Sequence, residues 1–443
     1  MTKDQILQSP PRLTRFCWVD NAGVSRGKAV FRDGLEGALK SGVGLTVGQQ
    51  ALPMMFDTII PETGLSAVGE ARIMADLETY LPLPFAPGSA MVLGDMVTVT
   101  GEPWVHCPRT FLKNQLLEAQ KLGFEVFSSF ENEFFLFNLD DTPLDSSNYA
   151  TLDAFESSRL VIDEMLDALE TVGLTPEMYY PEAGTGQQEI SISPSMGVKA
   201  ADQQVIFKTI VKGIAAKHHL KASFAAKPIL ESTGSGCHLH VSLWQNGKNA
   251  FFDSSDPIKL SKLAYHAIAG VLEHLPALCA ITVPSVNSYK RLQPGWWAGA
   301  FACYGLDNRE ASVRVASTHL LPSADINGKS TNFELKTCDA SANPYIALGG
   351  LIAAMLEGIK RKLEPGEPLQ SAPGAMSDQE RAARGITQLP SNLEQAVANL
   401  ERDEVLLGAL GGLAQSFIAV RKAEAAYFAE HPDEEIPKHR YVY

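Results

Sequence analysis

Apolar side chains recur every three or four positions over 110–122, where Leu112, Leu116, Ala119 and Leu122 share one side and Gly123 follows. That spacing predicts an amphipathic helix stopped by glycine. The next run, 124–137 (FEVFSSFENEFFLF), is rich in aromatic and other β-forming side chains and predicts a strand. A helix is expected over 155–169, closed by Gly173, and QEISIS at 188–193 alternates as a strand does. Ile206, Ile210 and Ile214 line one side of a helix over 205–215. CHLHVSLW at 237–244 and NFELKT at 332–337 read as further strands, and 343–362 and 406–428 as long helices.

Upstream of residue 100 the pattern is finer grained. Short β-rich runs, 15–19 and 91–98 among them, are separated by Gly and Pro, and 42–64 carries enough turn residues to read as loop. A break at 101–108 (GEPWVHCP) divides the two patterns. Beyond it helices and strands do not alternate regularly, which argues against a doubly wound parallel sheet. The expected class is α+β, with a small β-rich domain over 1–104 and a larger domain over 105–443. No internal repeat or low-complexity tract breaks this division.

Composition narrows the function classes. The 443 residues carry 37 Lys+Arg against 51 Asp+Glu, a net charge of −14. That balance argues against a nucleic-acid or anionic-membrane binder, which needs basic patches, but leaves room for ATP, which needs only a few local cations. Cys17, Cys107, Cys237, Cys279, Cys303 and Cys338 include no Cys-x-x-Cys pair, so neither a disulfide framework nor a zinc ribbon is expected. The first fifteen residues lack the apolar centre of a signal peptide, and the apolar run near 345–356 stops at Glu357, too short to span a bilayer. A cytoplasmic location is expected.

Residues i and i+2 of a strand share a face. By that rule Glu131 pairs with Glu133, His238 with His240 and Ser242, and Glu334 with Lys336. Glu189 lies on QEISIS, seven residues after Glu182. Glu131 and Glu133 stand among five phenylalanines, where unpaired carboxylates lose hydration. Five carboxylates brought near an imidazole would repel one another, and a divalent cation relieves that repulsion. Oxygen ligands with one nitrogen suit Mg²⁺ or Mn²⁺ better than zinc. Arg309 and Arg314, and Lys290 with Arg291, supply cations that suit carboxylates and phosphates. Gly328-Lys329-Ser330 imitates the end of a phosphate loop, but Ser323 stands where its first glycine belongs.

Six segments together (FENEFFLF, EAGTGQQE, GSGCHLHVSLW, NSYKRLQPG, DNREASVRV and FELKTCDASANPY) resemble the glutamine synthetase family, in the family's order and across most of 105–365. The resemblance implies a β-grasp-like N-terminal domain and a catalytic domain whose curved antiparallel sheet is flanked by helices. It implies a site for ATP, L-glutamate and two metal ions. Glu131, His238 and Glu334 match ligands of the first metal; Glu133, Glu182 and Glu189 match those of the second. Arg291, Arg309 and Arg314 match positions that hold the substrate carboxylate and the phosphates, Gly234 a glutamate-binding glycine, and His240 and Ser242 nucleotide contacts. The implied reaction makes a γ-glutamyl phosphate and hands its acyl group to an amine. A homo-hexameric ring, single or stacked in pairs, is also implied.

Three positions depart from the family pattern. Trp297 stands where the family's flap carries a glutamate that takes a proton from ammonium, and an indole cannot accept that proton. Lys336 replaces an arginine near the substrate, and Thr233 replaces an asparagine before the Gly-Ser-Gly turn. The family's ammonium-site aspartate of the N-terminal domain has no clear match here, and its role is carried over to neither Asp57 nor Glu70. Trp296 and Trp297 suggest an aromatic wall that receives a small organic amine, a γ-glutamyl-amine ligase. Ordinary glutamine synthesis, polyamine ligation and a non-catalytic ring protein are the alternatives.

Overall fold

The computed structural model describes residues 2–320 and 328–443; Ser323 of the rejected phosphate-loop pattern lies outside the described residues. It has a small N-terminal domain and a larger domain, each built on its own sheet. The N-terminal sheet runs Ser25–Phe31, Leu13–Val19, Ser89–Thr98, Glu70–Ala75, Val43–Thr46, with Leu81–Pro82 also on Ser89–Thr98. Leu13–Val19 and Ser89–Thr98 pair in parallel, so the chain between them forms the crossover that parallel neighbours require. The stretch 42–64 is not all loop. It holds Val43–Thr46, and its turns pack Met54 and Met55 into the main core. Glycine-rich composition hid a strand whose partner, Glu70–Ala75, is remote in sequence.

The large sheet runs Thr387–Gln388, Phe301–Leu306, Ala311–Val315, Phe333–Leu335, Cys237–Gln245, Glu125–Phe137, Gln187–Ile192, Pro176–Pro181. Its pairings are antiparallel as expected, except that Phe301–Leu306 registers in parallel with Ala311–Val315. The strands 301–306 and 311–315 are not legible in the sequence. Glu125–Phe137, the long aromatic strand, is central: it pairs with Cys237–Gln245 on one side and Gln187–Ile192 on the other.

Helices cover the apolar face. Pro108–Lys121, Leu152–Thr171 and Pro344–Arg361 lie where helices were expected, and Val198–Lys217 extends the expected 205–215 at both ends. Lys262–Thr282 was missed because its face pattern is blurred: it is apolar nearly all round. By length and composition it could cross a membrane, yet 72% of its apolar window is buried against the rest of the chain. It crosses Pro344–Arg361 so closely that a Cβ on Gly270 would stand 2.2 Å from the Ala354 carbonyl oxygen. The expected 406–428 helix is two, Glu404–Leu410 and Leu413–Glu430, bent by 109°. Gly411, at φ 54° and ψ −127°, caps the first and turns the chain.

Candidate active site

Register builds the site. His238 lies directly across from Glu131, His240 from Glu334, Glu334 from Arg314, and Glu133 from Glu189. Five strands thus bring side chains separated by up to two hundred residues into one polar patch inside a hydrophobic sheet. Between the two acids of Glu131-Asn132-Glu133, Asn132 points the other way and exchanges amide hydrogen bonds with Gln204 (2.8 and 2.7 Å), which locks the register.

Around this patch lies a cavity of about 580 Å³. Glu131, Glu133, Glu182, Glu189, Gly234, His238, Arg291, Trp297, Arg309 and Lys336, all expected in the site, line it. Four expected residues, His240, Ser242, Arg314 and Glu334, do not. His240 and Arg314 stand behind the lining, against Glu131 (3.6 Å) and Glu334 (2.6 Å), and Ser242 is buried, accepting a hydrogen bond from Trp244 Nε1 (3.0 Å). Glu334 is fully buried beneath it, reached by Arg314, by Lys336 (3.2 Å) and by His238 Nδ1 (3.0 Å). Asp57 and Glu70 do not reach this cavity; Asp57 pairs with Arg26 and Glu70 with Arg72.

Electrostatics divides the carboxylates into two groups. Burial works against the charge on Glu131, but both histidines outweigh it and hold its carboxyl well below the usual range. Burial likewise opposes Glu334, but Lys336 and the imidazoles bring it down to about 2. Glu133 is pushed up to about 7 by burial, against the pull of Arg291. Glu189 is pushed up to about 11 by burial and by repulsion from Glu131 and Glu133. Burial lowers His238 to about 4, while Glu131 raises His240 to about 9 against its burial.

The donor set fits a hard divalent cation. Glu131, His240 and Glu334 each offer one atom, all within 4.8 Å of one another, and His238 Nδ1 is 3.0 Å from both Glu131 and Glu334. Positive charge placed between Glu133 and Glu189 would favour ionisation of both. The glycine turn is part of the fit: a Cβ on Gly236 would meet His238 Nε2 at 2.6 Å and Arg291 Nη2 at 2.7 Å.

Residues 105–438 match the family model described as "Glutamine synthetase, catalytic domain", and residues 3–104 match "Glutamine synthetase N-terminal domain". The chain belongs to the glutamine synthetase family. It is 37% identical to glutamine synthetase of Methanococcus maripaludis over 80% of each chain. It is 33% identical to that of Pyrococcus furiosus over 96% of this chain and 93% of the relative. Among solved structures it superposes on a glutamine synthase homologue (TM-score 0.87, 32% identity, 98% and 99% of the two chains). It also superposes on an ADP complex of GmaS, a gamma-glutamylmethylamide synthetase (TM-score 0.84, 30% identity, 96% of each). The protein is an ATP-dependent C–N ligase of the glutamine synthetase family.

Against that family background the departures acquire a local structure. Thr233 gives its hydroxyl hydrogen to Gln187 Oε1 (2.6 Å), and Gln187 Nε2 reaches Glu133 (3.2 Å) and the Gly234 carbonyl (3.0 Å). Gln187 thus ties the glycine turn to the second carboxylate group. Its one sequence signal is its place two residues before Glu189, which puts it on the same face. Lys336 spends its ammonium on Glu334 and, at 3.4 Å, on His238 Nε2. Tyr149 and Tyr180 join Trp296 and Trp297 in the lining, four aromatic rings around one cavity. The tyrosines carried no sequence signal, because only the folded register puts Tyr180 opposite Glu189.

Proposed function

We propose that this ligase joins the γ-carboxylate of L-glutamate to a small organic amine larger than ammonia. The observation that carries the reading is the aromatic lining: Trp297 where the flap would hold an acid, with Trp296, Tyr149 and Tyr180 in the same cavity. Such rings favour an alkyl group and hold an alkylammonium by cation–π contact worth ~0.5–2 kcal/mol. Likeness to the GmaS complex supports the reading; the names of the sequence relatives favour the second one, ordinary glutamine synthesis.

In this proposal Arg291, with Gly234, receives the glutamate carboxylate, and Lys336 supplies further positive charge. Arg309, exposed at the mouth, meets the phosphates, and Arg314, paired with Glu334 behind the lining, is assigned as the second catalytic cation. His240 and Ser242, off the lining of this cavity, are the residues assigned to the nucleotide. Glu131, His238 and Glu334 would hold one metal ion, Mg²⁺ or Mn²⁺, and Glu133, Glu182 and Glu189 a second. When bound, such ions screen the charge of the polyphosphate. A γ-carboxylate oxygen of glutamate attacks the γ-phosphorus and ADP leaves. The amine nitrogen then attacks the acyl carbon, phosphate departs with the C–O bonding pair, and one proton is released. The division at 104/105, where the two family matches meet, completes the proposal, together with a cytoplasmic homo-hexameric ring, single or stacked.

The test is ATP-dependent phosphate release with L-glutamate, Mg²⁺ or Mn²⁺, and ammonium, methylamine, ethylamine, ethanolamine or a polyamine. Mass spectrometry identifies each product. A higher kcat/KM for a monoamine than for ammonium is expected, and Trp297→Glu is expected to shift preference toward ammonium. Ammonium as the best acceptor of the unaltered protein overturns the organic-amine reading.

A further inference from the structure

The flap over the cavity, 294–298, holds a backbone conformation its sequence does not favour. Trp297 sits at φ 55°, the left-handed region that bulky side chains avoid. Something must hold it there, and Glu310 is placed to do so. One carboxylate oxygen accepts the N–H of Gly295 (3.1 Å) and the other the N–H of Trp297 (3.1 Å). Both are charge-assisted hydrogen bonds.

Glu310 is itself fixed. Its N–H donates to Asn308 Oδ1 (3.1 Å), and Asn308 Nδ2 donates to the carbonyls of Leu369 (2.8 Å) and Ser371 (3.1 Å). The clamp therefore stands on a turn anchored to another part of the domain. The flap's far end is tied as well, since Thr337 Oγ1 donates to the Gly299 carbonyl (2.8 Å). On the other face, Lys227 Nζ lies 4.1 Å from the Trp296 ring centroid and also donates to the Ser232 carbonyl (2.5 Å).

We propose that Glu310 is a positioning residue that clamps the 294–298 flap and so sets affinity for the acceptor amine. It acts through the backbone of Gly295 and Trp297, not by touching the amine. The assignment rests on the amine-ligase reading of the same cavity. A glutamine at this position has one good acceptor atom and can hold only one of the two N–H groups.

Hydrogen–deuterium exchange of the full-length protein, followed on peptides covering 294–298, is combined with steady-state kinetics of Glu310→Ala and Glu310→Gln. Expected in Glu310→Ala are flap exchange and amine KM each raised about tenfold, with the KM for ATP and the melting temperature unchanged. Glu310→Gln is expected to fall between. Unchanged flap exchange and amine KM in Glu310→Ala overturn the proposal. So does a parallel loss of every kinetic constant with melting temperature, which marks a merely structural role. If ammonium proves the best acceptor, the organic-amine reading fails, yet flap exchange and the KM for ammonium still decide the clamp.

Discussion

Arg109 offers the sharpest test of how the two domains are held together. Its guanidinium is 3% exposed and reaches three carboxylates. Nε and Nη2 take Asp202 (2.9 and 2.8 Å), Nη1 takes Asp95 (3.0 Å) and Nη2 also takes Asp76 (2.7 Å). Asp76 and Asp95 belong to the N-terminal sheet domain, while Asp202 lies on the helix Val198–Lys217 of the larger one. Arg109→Met keeps most of the side-chain volume and removes every one of these bonds. Asp76 and Asp95 are partly exposed, and Lys113 still holds Asp95 (2.5 Å), so their share is under about 1 kcal/mol. Among the described residues Asp202 is then left buried with the Tyr345 hydroxyl (2.7 Å) alone, and stranding such a charge costs ~3–5 kcal/mol. The expected loss is therefore about 4 kcal/mol. Asp202→Asn, which keeps an acceptor for Tyr345, is expected to recover part of it in the double variant. Urea unfolding at fixed protein concentration, with each transition fitted separately, measures both. A loss below about 1 kcal/mol, or a double variant no more stable than Arg109→Met, would refute the reasoning.

Two further outcomes are expected. His439 is buried against Phe428, which lowers its imidazole from near 6.5 to about 4. Because the unfolded chain protonates first, the associated stability is fully present above pH 6.5 and lost as pH falls toward 4. The loss reaches ~3 kcal/mol, so His439→Gln is expected to flatten the acid limb of a stability–pH curve; an unchanged limb assigns that limb to other groups. Gly270→Ala places a methyl 2.2 Å from the Ala354 carbonyl oxygen and is expected to destabilise by ~2 kcal/mol in thermal or urea unfolding. Helix propensity alone would favour alanine by ~1 kcal/mol, so a stabilised variant would overturn the packing argument.

Where a pattern was strictly local, the sequence disclosed it. The helix Pro108–Lys121 and the strands Glu125–Phe137 and Cys237–Gln245 were legible because their periodicity needs no partner. The same period of two put Glu131 with Glu133 and His238 with His240, and motif order supplied the family. Elements whose stability is tertiary escaped: Lys262–Thr282, apolar nearly all round, and the strands Phe301–Leu306 and Ala311–Val315. The long helix expected over 406–428 failed at Gly411, where periodicity continues across a sharp bend.

What the chain fixed by itself was the inventory of carboxylates, imidazoles and guanidinium groups, and the face of each strand that carries them. Only the fold decided which faces meet. Cross-strand register set Glu133 against Glu189 and Glu334 against His240, and Glu310 reached the flap across fifteen residues. Side-chain spacing repeats along one strand and says nothing of its neighbours. Register and flap position instead follow from packing and hydrogen bonds between segments remote in sequence.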